Sequence, residues 1–414
     1  MIQLPTIDTL QPKQFRLANG NVVYTFPDEA SPLLKLDFLF EAGSAYQPQR
    51  LCASAANRLF SCATNRMSPE QMSEFLDHRG IVIEFNPDTF QAGITVYTLR
   101  RHIDDLLPLL DEMFRQPAFP DEEVSLWCGK RKQELQASLL KTSVVARHQF
   151  YEALFGPDHP LGTHAVPSDA DVLGRQAVAD FFYQRYHVGN MTIVASGAVD
   201  NAVLEWFNRL WGNDVAKPLS RHTLSPMEPV ADRREVHVDG AVQTTIRIGR
   251  VLPFECNDPD LARFMILSTV LGGYFGSRLM QSIREEKGFT YGISARTQLY
   301  RGSALFYIFS DVAQGTVDEA EECIFKEMEI LCNELVPDEE LEVVKNIIAA
   351  DFIRSIDGVF ERSARFCQMI SADVTEQLTE NLNNALHSTT AAQLIELARR
   401  LLSRDSMVVC RAGA

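Results

Sequence analysis

The chain has 414 residues, 46% hydrophobic and 23% charged, an ordinary globular balance whose length implies two domains. A formal charge of −16 argues against nucleic-acid binding and against docking on an anionic membrane. The eight cysteines (Cys52, Cys62, Cys128, Cys256, Cys323, Cys332, Cys367, Cys410) form no CxxC pair. That excludes a zinc ribbon or a thioredoxin-type couple, and they read as small buried hydrophobes in a reducing compartment.

Residues 1–20 lack a basic region followed by an apolar core, and no apolar run approaches the ~20 residues that span a bilayer. The expected location is the cytoplasm, or the periplasm if an export signal has been removed. Residues 15–26 read as a hairpin turning at Asn19-Gly20. A strand is predicted over 33–41, then a small-residue helix over 51–62. Ser68-Pro69-Glu70 starts another helix. Strands over 81–85 and 90–99 alternate in polarity. Helices follow over 102–114, from 121 to about 141, and over 146–155. A polar loop carries His159 and His164; a helix over 177–186, a strand over 190–197 and a helix over 202–211 close the first unit. Residues 213–232, with Pro218, Pro226 and Pro229, read as a linker.

The second half repeats this order. Strands are predicted over 236–238, 244–251, 293–299 and 303–310, and a last strand over 406–411. Leu335-Val336-Pro337-Asp338-Glu339-Glu340 repeats Ala118-Phe119-Pro120-Asp121-Glu122-Glu123 at an offset of 217 residues. Two copies of one α+β domain, 1–212 and 233–414, is the economical reading.

Familiar catalytic motifs are missing. None of the nine histidines forms HExxH or HxxEH, and His159 and His164 lie in a loop that no helix aligns. No GK[ST] follows the glycines of 272–276, and no GxSxG elbow occurs. The most specific stretch is 271–292, LGGYFGSRLMQSIREEKGFTYG. It reads as a glycine-rich turn, Ser277 as helix N-cap, an amphipathic helix over 278–287, a stop at Gly288 and a new strand at Tyr291. Arg284 and Tyr291 thus project from a helix–turn–strand corner.

This stretch resembles the SRLxxxIRExxGLxYs segment of the pitrilysin (M16) family of zinc peptidases, which includes insulinase and the mitochondrial processing peptidase. The resemblance extends over nearly the whole chain. It implies an α+β fold of two homologous domains of the LuxS/MPP-like metallohydrolase type, each a mostly antiparallel sheet packed with helices. In the family, HxxEH on the first domain's helix binds zinc with a later glutamate. Aligning that pattern on 51–60 puts Ala53 and Asn57 at the two histidines, Ala56 at the catalytic glutamate and Glu134 at the third ligand. A lone carboxylate does not hold catalytic zinc, so no metal or other cofactor is expected in this chain. Glu134 reads better as a solvated or salt-bridged helix residue. The resemblance makes Arg284 and Tyr291 a substrate-binding pair that also stabilises the oxyanion. Gly272, Gly273, Tyr274 and Phe275 match the family's flexible substrate loop. Without the resemblance, Arg284 would pair with a carboxylate, Tyr291 would be a half-buried strand residue, and Tyr274 and Phe275 would pack on the core.

The implied function is a non-catalytic subunit that completes the zinc site of an HxxEH-bearing partner and handles unfolded peptides. A homodimer is the other assembly considered. The alternative is a non-enzymatic scaffold or peptide-binding protein of the same fold.

Overall fold

Alternating apolar residues on either side of Asn19-Gly20 form the antiparallel pair β1 (Lys13–Arg16) and β2 (Val22–Pro27), with Gly20 at φ +91. They open a computed structural model that describes residues 11–215, 221 and 231–413. The predicted linker at 213–232 therefore lies mostly outside the described residues. β3 (Leu33–Phe40) leads into α1 (Cys52–Leu59) and α2 (Pro69–Arg79). α2 starts on a capping box in which Ser68 and Gln71 satisfy each other's backbone N–H. Strands β4 (Val82–Phe85) and β5 (Ala92–Leu99) precede α3 (Ile103–Arg115), α4 (Asp121–Ser138), α5 (Thr142–Phe155), α6 (Asp169–Val172) and α7 (Arg175–Arg185). β6 (Met191–Gly197) and α8 (Asn201–Trp211) complete the first half.

The second half runs β7 (Asp232–His237), β8 (Gln243–Leu252), α9 (Pro259–Gly272), a π-helix (Met280–Glu286), β9 (Thr290–Tyr300) and β10 (Ser303–Ala313). Helices α10 (Val317–Asn333), α11 (Asp338–Arg354), α12 (Val359–Ala372), α13 (Glu376–Ser388) and α14 (Ala391–Leu401) then lead to β11 (Val408–Gly413).

The two sheets have one topology. The first is ordered β1-β2-β6-β3-β5-β4 and the second β7-β11-β8-β10-β9. With β1 set aside, each places its first, fifth, second, fourth and third strands side by side. In each, only the first–fifth pair is parallel. The repeated PDEE element has one geometry too: α4 and α11 both begin after an extended proline, Pro120 at φ −56, ψ 137 and Pro337 at φ −56, ψ 142.

Each sheet packs one face on the helices of its own half, forming one apolar core per half. The other face is covered by a helix from the opposite half. α5 lies on β7, β11 and β8, burying Phe150 and Leu154 with Val251, Leu305 and Val408. Its Glu152 pairs with Arg234 of β7 at 3.0 Å. Reciprocally, α12 lies on β2 and β6, with Phe366 against Tyr24 and Phe26 at ring separations of 4.9 and 5.7 Å. Ser363 accepts from Lys35 at 3.2 Å, and Lys35 pairs with Asp37 at 2.9 Å. Coverage of both faces explains why β3 is buried almost end to end, charged residues included.

Candidate functional site

The helix where the resemblance places a metal site holds none of the required groups. Leu51, at φ +70, turns the chain into α1, and Ala53, Ala56 and Asn57 are all buried. Two methyl groups and an amide face the interior there. The Asn57 amide donates to the Gly93 carbonyl at 2.9 Å and so ties α1 to β5. A side chain at Gly93 would meet the Phe38 carbonyl at 1.9 Å, so glycine is needed where β5 crosses β3. Nearby, burial pushes the Tyr186 phenol far above its ordinary pKa, with Asn57 as its polar neighbour. Glu134 is exposed on α4, its carboxylate 3.1 Å from Arg131 one turn earlier, which agrees with the salt-bridged reading. Among the described residues no group of three or more His, Cys, Asp or Glu is placed to hold a metal. His164 stacks on His148 at 4.2 Å, while His159 stacks on Phe155 at 5.1 Å, so the two loop histidines have separate partners.

The 271–292 stretch differs locally from its prediction. Gly272 and Gly273 are not a loose loop. Gly272 ends α9, buried, where a Cβ would lie 2.6 Å from the Ala295 amide nitrogen of β9. A Cβ at Gly273 would lie 2.6 Å from Thr269 Cα. Gly272 allows close packing of helix on strand, and Gly273 lets the chain fold back against the last turn of α9. Tyr274 packs on the second core, whereas Phe275 is 66% exposed. Ser277 precedes the helix as predicted but does not cap it with its side chain: its hydroxyl is buried without a hydrogen-bond partner among the described residues. Its backbone holds the turn instead, the N–H donating to Tyr274 at 3.1 Å and the carbonyl accepting from Gln281 at 3.0 Å. The predicted α-helix is wound as a π-helix over Met280–Glu286 and stops at Gly288, φ +66, as predicted. Arg278 anchors its start to α11 through a two-pronged contact with Glu340 at 3.0 and 2.8 Å.

The Arg284 guanidinium lies 4.6 Å from the centre of the Phe275 ring, with Nη1 2.9 Å from the Glu285 carboxylate. Seven residues on, β9 opens with a bulge. Thr290 pairs with Val312 and Ile293 with Ser310, so Tyr291 and Gly292 together face Asp311. Hydroxyls lock it: Thr290 donates to the Asp311 carbonyl at 2.7 Å and Ser310 to the Gly292 carbonyl at 3.0 Å. The bulge turns Tyr291 outward, 91% exposed, against the half-buried expectation for an ordinary strand tyrosine. The Arg284 guanidinium and the exposed Phe275 ring thus meet, and the Tyr291 phenol stands outward where β9 begins. Such groups donate to an oxygen gaining negative charge and cover an apolar side chain.

Residues 173–348 match the family model described as Peptidase M16 inactive domain. Over that stretch the chain is similar to the M16 peptidases. It is 22% identical over 399 residues to an uncharacterized zinc protease of Rickettsia felis, covering 94% of each chain. It is 23% identical over 286 residues to the non-peptidase homolog YmxG of Helicobacter pylori, covering 65% of this chain and 64% of that one. Its fold is that of a peptidase M16 inactive domain from Pseudomonas fluorescens (TM-score 0.86, 18% identity, 97% and 98% of the two chains). A protease from Helicobacter pylori superposes equally well (TM-score 0.86, 16% identity, 99% and 100%). The two-domain α+β architecture is therefore the one these solved structures share. No helix among the described residues is long and apolar enough to cross a membrane.

Two residues that matter to the arrangement were not singled out from the sequence. Glu41, at the end of β3, is buried and receives a two-pronged ion pair from Arg301 in the turn between β9 and β10. Tyr46 and Gln91 also donate to Glu41, at 2.9 and 3.3 Å. The carboxylate links the strand before α1 to the second half. A charged residue closing the apolar run LLKLDFLF was the available signal.

Proposed function

We propose that this chain is a non-catalytic M16 subunit that lends Arg284 and Tyr291 to the zinc site of an HxxEH-bearing partner. The observation that carries it is a contrast within one molecule. Ala53, Ala56 and Asn57 stand where ligands and base would be, yet Tyr291 stands outward on a built bulge and Arg284 lies half-buried between Phe275 and Glu285. The inactive-domain model and the relative named a non-peptidase homologue support an inactive M16-like chain. In the complex, Arg284 and Tyr291 hold the substrate backbone and donate to the carbonyl oxygen as it gains charge, while Phe275 covers an apolar side chain. Substrates are unfolded peptides in an extended form.

The test begins with co-purification from the native host to identify the partner. Peptidase activity should require both chains. Arg284→Ala or Tyr291→Phe should then lower kcat by ~10²–10³-fold, the usual effect of losing one oxyanion donor, with complex formation unchanged on gel filtration. Full turnover by both variants would overturn the proposal.

A further inference from the structure

A cavity of about 610 Å³ lies between the halves, where β9 and α12 meet the loop that carries Asp88 and Phe90. Its size is that of a small-ligand site, ~300–1,000 Å³. Phe90, Leu299, Tyr300, Tyr307 and Met369 give it apolar walls. Its charges are unbalanced. Arg301 is answered by Glu41, and Asp88, the sole carboxylate on the wall among the described residues, accepts from the Thr89 N–H at 2.7 Å. Arg296 and Arg365 remain. Neither makes an ion pair among the described residues, in a chain whose net charge is −16 and whose arginines are otherwise widely paired. Arg296 stands opposite Tyr307 on the sheet face. Arg365 of α12 rests on the Phe352 ring at 4.4 Å and reaches Ser355 at 3.5 Å, leaving its Nε buried with no hydrogen-bond partner. A guanidinium cannot shed its proton to escape burial, so an uncompensated one calls for an anion.

We propose that this cavity binds a carboxylate carried on an apolar body, the carboxylate meeting Arg365 and Arg296 and the body lying among the aromatic walls. A peptide C-terminus and a free organic acid share that chemistry. The assignment does not require a peptidase partner.

Isothermal titration of the full chain with N-acetyl-L-phenylalanine, its carboxamide, and an N-acetylated octapeptide ending in phenylalanine tests it. The acid should bind at least ~10-fold more tightly than the amide, as for a charge-assisted contact. Arg365→Gln and Arg296→Gln should each weaken the acid ~10-fold without lowering the melting temperature. Should Arg365→Gln fold poorly, Arg296→Gln, at an exposed position, carries the test. Tighter binding of the octapeptide identifies a peptide end, and equal binding identifies a free acid; both support the site. Equal affinity for acid and amide, no binding of either acid, or unchanged affinity in Arg296→Gln overturns it.

Discussion

His148 on α5 is a histidine the fold holds neutral. Burial, then the neighbouring charges of His164 and Arg147, lowers its pKa from 6.5 to about 4. Between those values the unfolded chain binds a proton that the folded chain does not. Stability is therefore undiminished above pH 6.5, falls as the pH drops from 6.5 to 4, and levels off below. His148→Phe keeps an aromatic ring beside His164 and removes the titration. Its melting temperature should fall less than the wild type's between pH 6.5 and 4; parallel losses would exclude His148 as the source. Asn57 carries a second residue-scale expectation. Its amide is a brace, so Asn57→Ala should cost about 1–3 kcal/mol in urea denaturation by orphaning the Gly93 carbonyl. At this scale the sequence was informative about what is missing from α1, because the identities of Ala53, Ala56 and Asn57 settle which ligands are there. It said little about where Tyr291 points, since a bulge needs the register of two strands.

Among the elements, the corner of α9, the π-helix and β9 depends on how closely helix and strand approach. Gly272→Ala places a methyl 2.6 Å from the Ala295 nitrogen and should destabilise the chain by about 1–3 kcal/mol, with any loss of partner-dependent activity following the loss of fold. Gly20, with no described residue within 4 Å of its would-be Cβ, should respond only through its positive φ. Strands and helices were legible because their alternation and start signals are local: Asn19-Gly20 turned as read, and the helix began at Pro69 as read. Ser277 shows the limit. It has a capping residue's chemistry, yet its hydroxyl is buried unpaired among the described residues, which the local sequence does not announce. The duplicated strand order was legible for a different reason. A repeat with one register of PDEE elements needs no long-range knowledge.

Across the whole molecule, Glu41 and Arg301 join the halves where neither side chain sees much water. Burial alone would raise the Glu41 pKa, but Arg301, with the hydrogen bonds from Tyr46 and Gln91, holds the carboxylate below its ordinary value. A depressed carboxylate stabilises the fold above its unfolded pKa near 4.5 and loses that contribution as the pH falls through the folded value. Glu41→Gln leaves Arg301 unanswered and should cost about 3–5 kcal/mol, while the double variant Glu41→Leu/Arg301→Met should recover most of it. Urea titrations of the three proteins measure the coupling; additive losses would mean the pair does not act as one. This link escaped the sequence reading because its members are 260 positions apart and nothing periodic connects them. The same holds for the crossing of α5 and α12 onto each other's sheets. That crossing makes the polypeptide connection between the halves dispensable once folding is done. A protease site inserted between Val215 and Ala231 and then cut should yield two fragments that migrate together without denaturant, each clasped by a helix belonging to the other. Fragments produced separately would each display a bare sheet face and should be recovered in soluble form only when made together.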